Sequence, residues 1–96
     1  MKHISKNTLE PRRGLQVVRL PEGSQILKFA EQNAKIVFWA VVPDTTKEED
    51  VVFKLLFTGD EITDNLDYTI VGPYIDYEDT VVVFGVVFHI YRKYQG

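Results

Sequence analysis

The segment from Thr80 to Tyr94, TVVVFGVVFHIYRKY, is the longest run of strand-favouring residues in the chain, and it restricts the fold most strongly. Successive side chains of a β-strand point to opposite faces of the sheet. Both alternating sets are apolar here, one containing Val82, Phe84, Val86, Phe88 and Ile90 and the other Val81, Val83 and Val87. We therefore predict one central strand that is shielded from water on both faces as far as His89.

The length and composition of the chain are typical of one soluble globular domain. Its 96 residues are 45% hydrophobic and 26% charged, which suits a single core and excludes a disordered chain. The absence of cysteine excludes disulfides, thiolate metal sites and a cysteine nucleophile. The N-terminal sequence MKHISKNTLEP lacks the apolar segment of a signal peptide, and no window is long enough to span a membrane. We expect one domain, residues 1–96, with a mature chain that starts at Met1 and no membrane partner.

The other apolar runs are separated by turn residues, which is typical of short strands. The pattern predicts strands at Lys2–Leu9, Leu15–Leu20, Ser24–Gln32, Lys35–Val42, Val51–Thr58 and, interrupted at Gly72-Pro73, Tyr68–Tyr77. The first of these is rich in polar residues and suits a sheet edge. Residues 24–32 fit a strand or a helix, and we favour the strand because a turn and another apolar run follow at once. Residues 35–42 are apolar on both faces and predict a second buried strand.

Three connections are informative about local structure. Asn33-Ala34 predicts a two-residue hairpin turn, because Asn tolerates positive φ well, although Ala does not and a looser turn is the alternative. The acidic segment at residues 44–50 is predicted to be a solvated connection whose start can cap a helical turn. Asp76–Asp79 is predicted to be a turn that leads into the long last strand.

These elements define the fold class. About seven strands recur at a spacing of roughly 8–15 residues, with turn residues between them and no convincing helix longer than two turns. We predict an all-β fold, namely a small antiparallel β-sandwich or barrel of about seven strands.

Several segments resemble one known protein family. They are LPEGSQI at residues 20–26, EQNAK at 31–35, WAVV at 39–42, TGDEI at 58–62 and VFHI at 87–90. Together they resemble a family of short bacteriophage and prophage proteins that is classified as a domain of unknown function. The family pattern has Gly at the position of Ala34, while Gly72-Pro73 and the residues after Ile90 depart from it. The resemblance implies a phage accessory protein in the cytoplasm of the host bacterium, and it implies no catalytic residue.

The side chains that catalysis needs are sparse in this sequence. His3 and His89 are the only histidines and have no metal-ligand spacing around them. The acidic segments lack the alternation of a calcium loop, and the glycines are scattered singly rather than grouped in a phosphate-binding loop. Ser5 and Ser24 are the only serines. We therefore predict a non-enzymatic protein with no catalytic residue, no metal site and no cofactor.

The positive charge of the chain lies near its two ends and suggests a ligand-binding site. Arginine binds phosphate and aromatic rings stack on bases. The residues with these properties that we predict to bind a ligand are Arg12, Arg13, Arg19, Tyr91 and Tyr94. The predicted ligand is a small phosphorylated nucleotide, and the net charge of −3 argues against long nucleic acid. The alternative is that these charges only keep edge strands from pairing with other chains.

Strands that are apolar on both faces also suggest a partner. Each sheet of a sandwich normally has one solvated face, and large apolar patches are rare on monomers. We therefore expect a homo-oligomer, with Trp39, Phe57 and Val87 as candidate interface residues. The functional hypothesis is counter-defence by sequestration of a phosphorylated, cyclic nucleotide signal. The alternative is a protein-directed inhibitor of a host factor, or a virion or assembly interaction protein.

Overall fold

The structure, a computed structural model, describes residues 1–60 and 75–93. This part of the chain forms seven strands: β1 (His3–Leu9), β2 (Gly14–Pro21), β3 (Gln25–Gln32), β4 (Lys35–Val42), β5 (Glu48–Phe57), β6 (Ile75–Val83) and β7 (Val86–Lys93). The strands pair antiparallel in two sheets, β1-β4-β3 and β2-β5-β7-β6. The two sheets pack face to face, so the all-β prediction is confirmed and the architecture is a sandwich rather than a barrel. No helix that could cross a bilayer occurs in the described ranges.

The core lies between the two sheets and follows from strand alternation. Every second residue of β4 faces inward, and Ile36, Phe38 and Ala40 are fully buried. The ring of Phe38 lies 5.2 Å from that of Phe29 on β3 and 5.2 Å from that of Phe53 on β5. This aromatic group joins the sheets, because β3 and β4 belong to one sheet and β5 to the other.

Several strand predictions are confirmed. Residues 35–42 form β4, the middle strand of the three-stranded sheet. Residues 25–32 form β3, so the strand assignment is correct and the helical alternative is wrong. Strand β5 begins at Glu48, inside the predicted connection, because Glu48 and Asp50 pair in register with Pro21 and Arg19 of β2. The acidic segment therefore extends a strand, and residues 44–47 form no helical turn.

The prediction of one long strand from Thr80 to Tyr94 is wrong. Phe84 and Gly85 have φ of 49° and 77°, as in a type I′ turn, and they divide the segment into the hairpin β6–β7. A continuous apolar pattern does not distinguish one strand from two strands joined by a two-residue turn. Strand β7 lies between β5 and β6, whereas β6 is an edge strand. Residues predicted to be buried are accordingly exposed, with Val82 at 53% and Phe84 at 88%.

The predicted turn at Asp76–Asp79 is also wrong, because these residues lie within β6. The pairing with β7 shifts register between Tyr77 and Asp79, so Glu78 is the extra residue of a β-bulge. Its carboxylate lies 3.4 Å from the Nε of Arg92. Burial raises the pKa of Glu78, and the positive charge of Arg92 opposes that shift. The predicted strand at residues 68–71 and its interruption at Gly72-Pro73 lie outside the described residues.

The turn between β3 and β4 has the predicted two-residue form. Asn33 and Ala34 have φ of 52° and 64°, and Gln32 pairs directly with Lys35. The amide of Ala34 donates a hydrogen bond of 2.8 Å to the carboxylate of Glu31. Positive φ at both positions matches the twist of the flanking strands, but it strains an alanine because its Cβ approaches the backbone.

Replacing Ala34 with glycine should therefore stabilise the protein. We expect Ala34→Gly to raise the free energy of unfolding by about 1 kcal/mol and the melting temperature by about 5 °C. Thermal unfolding followed by far-UV circular dichroism measures the shift. Ala30→Gly is the matched control, because Ala30 lies within β3 and glycine weakens a strand. A lower melting temperature for Ala34→Gly would contradict the strain argument.

Candidate functional site

Arg13 lies at the end of the sandwich where β2 begins and β5 ends. Its Nη1 is 3.3 Å from Oδ1 of Asp60, and its guanidinium carbon lies 5.3 Å from the ring centroid of Phe57. A turn holds Asp60 in place, since its amide donates to the carbonyl of Phe57 and its Oδ2 accepts from the Phe57 amide. The preceding Arg12 is exposed and makes no ion pair within residues 1–60 and 75–93. One arginine is thus packed on an aromatic ring and the other extends into solvent.

Arg19 lies apart from the other two arginines. Six residues of extended chain separate it from Arg13, which corresponds to about 20 Å. Its guanidinium contacts Glu48 at 3.7 Å and Asp50 at 3.6 Å. Those contacts are exposed and individually weak, but they surround Arg19 with negative charge. The three arginines therefore do not form one patch.

Tyr91 lies on the outer face of the four-stranded sheet. It is the cross-strand neighbour of Lys54 on β5 and of Tyr77 on β6. The rings of Tyr77 and Tyr91 meet edge to face at 5.6 Å. The other predicted tyrosine, Tyr94, lies outside the described residues.

A shallow cavity is lined by one of the predicted site residues and lies next to the contacts of another. It has a volume of about 180 Å³ and is lined by residues 56–60, His89 and Tyr91. Phe57 and Asp60, which contact Arg13, belong to this lining. Tyr91 therefore lines the pocket, Arg13 lies behind its lining residues Phe57 and Asp60, and Arg19 lies apart from it.

A row of hydrogen-bonding side chains begins in the lining of the same pocket, at Thr58 and His89, and continues beyond the lining to Thr80 and Tyr77. The Oγ1 of Thr58 lies 2.8 Å from Nε2 of His89, and the Oγ1 of Thr80 lies 3.1 Å from Nδ1. The hydroxyl of Tyr77 is 2.7 Å from Oγ1 of Thr80. A neutral imidazole has one donor and one acceptor nitrogen, so its tautomer sets the direction of the whole row. Thr58, at the end of the row that lines the pocket, can then donate to or accept from a ligand there.

Sequence reasoning missed this row. Thr80 faces His89 only because the chain turns back at Phe84-Gly85, and a single long strand would place them nine residues apart. The sequence contained one indication of this site: His89 and Tyr91 are two residues apart, so in a strand their side chains lie on the same face. Once the hairpin is known, strand register places Thr80 opposite His89.

The row does not form a catalytic triad. A hydroxyl hydrogen-bonded to an imidazole is the start of a nucleophile–base pair. The other nitrogen of His89 faces the hydroxyl of Thr80, whereas a triad uses an orienting carboxylate there to stabilise the imidazolium. No group of three or more metal-ligating side chains occurs in the parts of the chain that the structure describes. The arrangement suits hydrogen bonding to a ligand.

The three candidate interface residues lie on different surfaces. Trp39 lies on the outer face of the three-stranded sheet, because its neighbours Phe38 and Ala40 face the core. Val87 lies on the outer face of the four-stranded sheet, beside Val82. Phe57 is 36% exposed and its ring lies 5.5 Å from that of Phe88. One interface patch cannot contain both Trp39 and Val87.

Comparison with known proteins gives a family and no ligand. No curated protein and no solved structure matches the chain. One family model matches residues 1–96, the full length of the sequence, and is described as a domain of unknown function, DUF7352. The chain therefore belongs to the DUF7352 family.

Proposed function

We propose that the protein is a non-enzymatic binding protein that holds a small phosphorylated nucleotide in the pocket beside Arg13. The observation that supports this proposal is the convergence of three chemistries on one cavity. The rings of Phe57 and Tyr91 in its lining suit a base, the guanidinium of Arg13 beside it suits a phosphate, and Thr58 with His89 suits the polar edge of a base or sugar. Recognition pockets commonly combine apolar walls with a few convergent polar groups.

The size of the cavity limits which part of the ligand is enclosed. Pockets for drug-sized ligands are roughly 300–1,000 Å³, and this cavity has about 180 Å³. In our proposal it encloses one base, and the phosphates extend past Arg13 toward the exposed Arg12. A second copy of the chain covers the open side, which makes the functional form a homo-oligomer.

The proposed biological role is counter-defence. The resemblance to short phage and prophage proteins supports a phage accessory protein in the cytoplasm of the host bacterium. A protein that binds without turnover acts by sequestration, and the natural target is a cyclic or otherwise phosphorylated nucleotide that the bacterium uses as a defence signal. The hydrogen bond of His89 Nδ1 is made with Thr80 rather than with a carboxylate, which supports binding over hydrolysis.

A thermal-shift screen of cyclic dinucleotides, cyclic trinucleotides and cyclic ADP-ribose isomers tests the proposal. A ligand that binds only the folded state adds about 2.7 kcal/mol at a hundredfold excess over Kd, which corresponds to a melting-temperature rise of roughly 13 °C. We expect Arg13→Ala to remove this rise. Arg19→Ala is the matched control and should retain it, because Arg19 lies near the opposite end of β2 and contacts Glu48 and Asp50. Mass spectrometry after denaturation should recover the ligand unchanged.

No stabilisation by any compound, or equal loss in both arginine variants, would favour the protein-directed alternative. One observation supports that alternative. Phe84 is 88% exposed at the tip of the β6–β7 hairpin with φ of 49°, and both the strain and the exposed ring are unfavourable in the free protein. A host or virion protein that covers this ring would bury its apolar surface. Such a partner should co-purify from infected cells with the native chain and be lost with Phe84→Asn.

A further inference from the structure

The outer face of the three-stranded sheet places the only tryptophan of the chain between two lysines. Trp39 lies on the middle strand β4, and its direct cross-strand partners are Lys6 on β1 and Lys28 on β3. Direct partners in an antiparallel sheet project from the same face. Neighbouring strands lie about 4.8 Å apart, so one lysine stands on each side of the indole.

This face is positively charged although the chain as a whole is acidic. Strands β1, β3 and β4 contain one carboxylate, that of Glu31. The partner of Glu31 is the core-facing Ile36, and its carboxylate accepts a hydrogen bond from the turn amide of Ala34. Lys6 and Lys28 are exposed, and neither makes an ion pair with another described residue. Most of the acidic residues that give the net charge of −3 therefore lie outside these three strands. The local electrostatic potential, rather than the net charge, determines which ligands approach a surface.

Apart from the two lysines, Trp39 is surrounded on this face by small and apolar side chains. Its neighbours along β4 on the same face are Val37 and Val41, and the partners of Val37 are the small residues Thr8 and Ala30. The indole itself is partly exposed. A sheet face with a partly exposed aromatic ring and flanking cations is an arrangement on which unpaired bases stack.

We propose that this face binds single-stranded nucleic acid, with a base stacked on Trp39 and the adjacent phosphates contacting Lys6 and Lys28. A second copy fits the face poorly, because two such faces would bring like charges together. An acidic polypeptide supplies the negative charge but no planar ring for the indole. The inference goes beyond the nucleotide pocket, since it uses the other sheet and different residues. The positive charge of Lys6 and Lys28 on this face, rather than the net charge of −3 of the whole chain, attracts the nucleic acid.

Because the chain has a single tryptophan, its fluorescence reports directly on the proposed contact. Titration with a twelve-residue oligothymidylate should quench the emission of Trp39 in 50 mM salt. Two phosphate contacts on a single strand predict that affinity falls about sevenfold between 50 and 200 mM salt. Polyglutamate, which has the charge and no bases, should leave the emission unchanged.

Variants separate the proposed face from non-specific attraction. Lys6→Glu and Lys28→Glu should each weaken binding and lower the salt dependence by about one phosphate contact. Lys47→Glu changes the charge equally in the exposed β4–β5 connection and should bind as the native chain does. Trp39→Val, followed by anisotropy of a labelled oligonucleotide, should lose about tenfold in affinity. Circular dichroism confirms that each variant is folded. Arg13→Ala should bind the oligonucleotide as the native chain does, because Arg13 lies beside the pocket of the other sheet.

Three results would overturn the inference. The first is unchanged fluorescence in 50 mM salt. The second is quenching by polyglutamate that equals quenching by the oligonucleotide, which would indicate an acidic protein partner. The third is an equal loss of affinity in Lys47→Glu, which would indicate attraction to the molecule as a whole.

Discussion

Phe53→Ala should lower the free energy of unfolding by about 3–5 kcal/mol. Phe53 is fully buried, and its ring lies 5.2 Å from that of Phe38 and 5.8 Å from that of Phe29. These three rings form the aromatic part of the core between the sheets, so the truncation opens a cavity where the sheets meet. A domain of this size has a total stability of roughly 5–14 kcal/mol, and the loss is therefore a large fraction of it.

Urea denaturation followed by the fluorescence of Trp39 measures this loss. Phe57→Ala is the matched control, because the same side chain at the end of the same strand is 36% exposed. Its truncation leaves no enclosed cavity, and we expect less than half the effect. Equal losses in the two variants would show that the aromatic group between the sheets does not dominate stability.

Gln16→Leu should lower the free energy of unfolding by about 2 kcal/mol. The Gln16 side chain is nearly buried and bonds to both backbone groups of Glu10. Its Oε1 accepts from the Glu10 amide at 2.8 Å, and its Nε2 donates to the Glu10 carbonyl at 2.7 Å. Leucine is similar in size but leaves a donor and an acceptor without their partner. The connection from β1 to β2 should loosen as a result.

Two measurements test this role of Gln16. Denaturation gives the stability, and amide hydrogen exchange should show faster exchange at Glu10 in the variant. Gln25→Leu is the control, since Gln25 is exposed on the edge strand β3 and such surface changes stay within about 0.5 kcal/mol. Unchanged exchange at Glu10 would mean that the side-chain amide does not hold the turn.

The fold class was predictable because strand alternation and turn residues are local signals. Residues 35–42 were assigned correctly since both their composition and their flanking turns indicated one strand. The segment from Thr80 onward was assigned incorrectly, because an isolated Gly85 inside an apolar run is equally compatible with a bulge, a close contact or a turn. Phenylalanine at positive φ is uncommon, so Phe84 gave no indication of the hairpin.

The candidate site was harder to predict because its geometry depends on register. Tyr91 lines the pocket and Arg13 contacts two residues of its lining, but Arg19 is separated from them by its strand and contacts Glu48 and Asp50. Those carboxylates are about thirty positions further along the chain, and only the pairing of β2 with β5 brings them near. Composition shows which charges exist, whereas pairing decides which of them neutralise one another.

The interleaved order of the strands has a consequence for synthesis on the ribosome. The first 42 residues contain all three strands of one sheet, β1, β3 and β4, but also β2, whose hydrogen-bonding partner β5 starts at Glu48. Until β5 emerges, the nascent chain holds a strand with both edges unpaired and its apolar residues Val18 and Leu20 uncovered. The β3–β4 hairpin forms early, since its turn has two residues. Each sheet is completed only when strands that are distant in the chain pair, β1 with β4 in one sheet and β2 with β5 in the other. This topology favours slow, all-or-none folding.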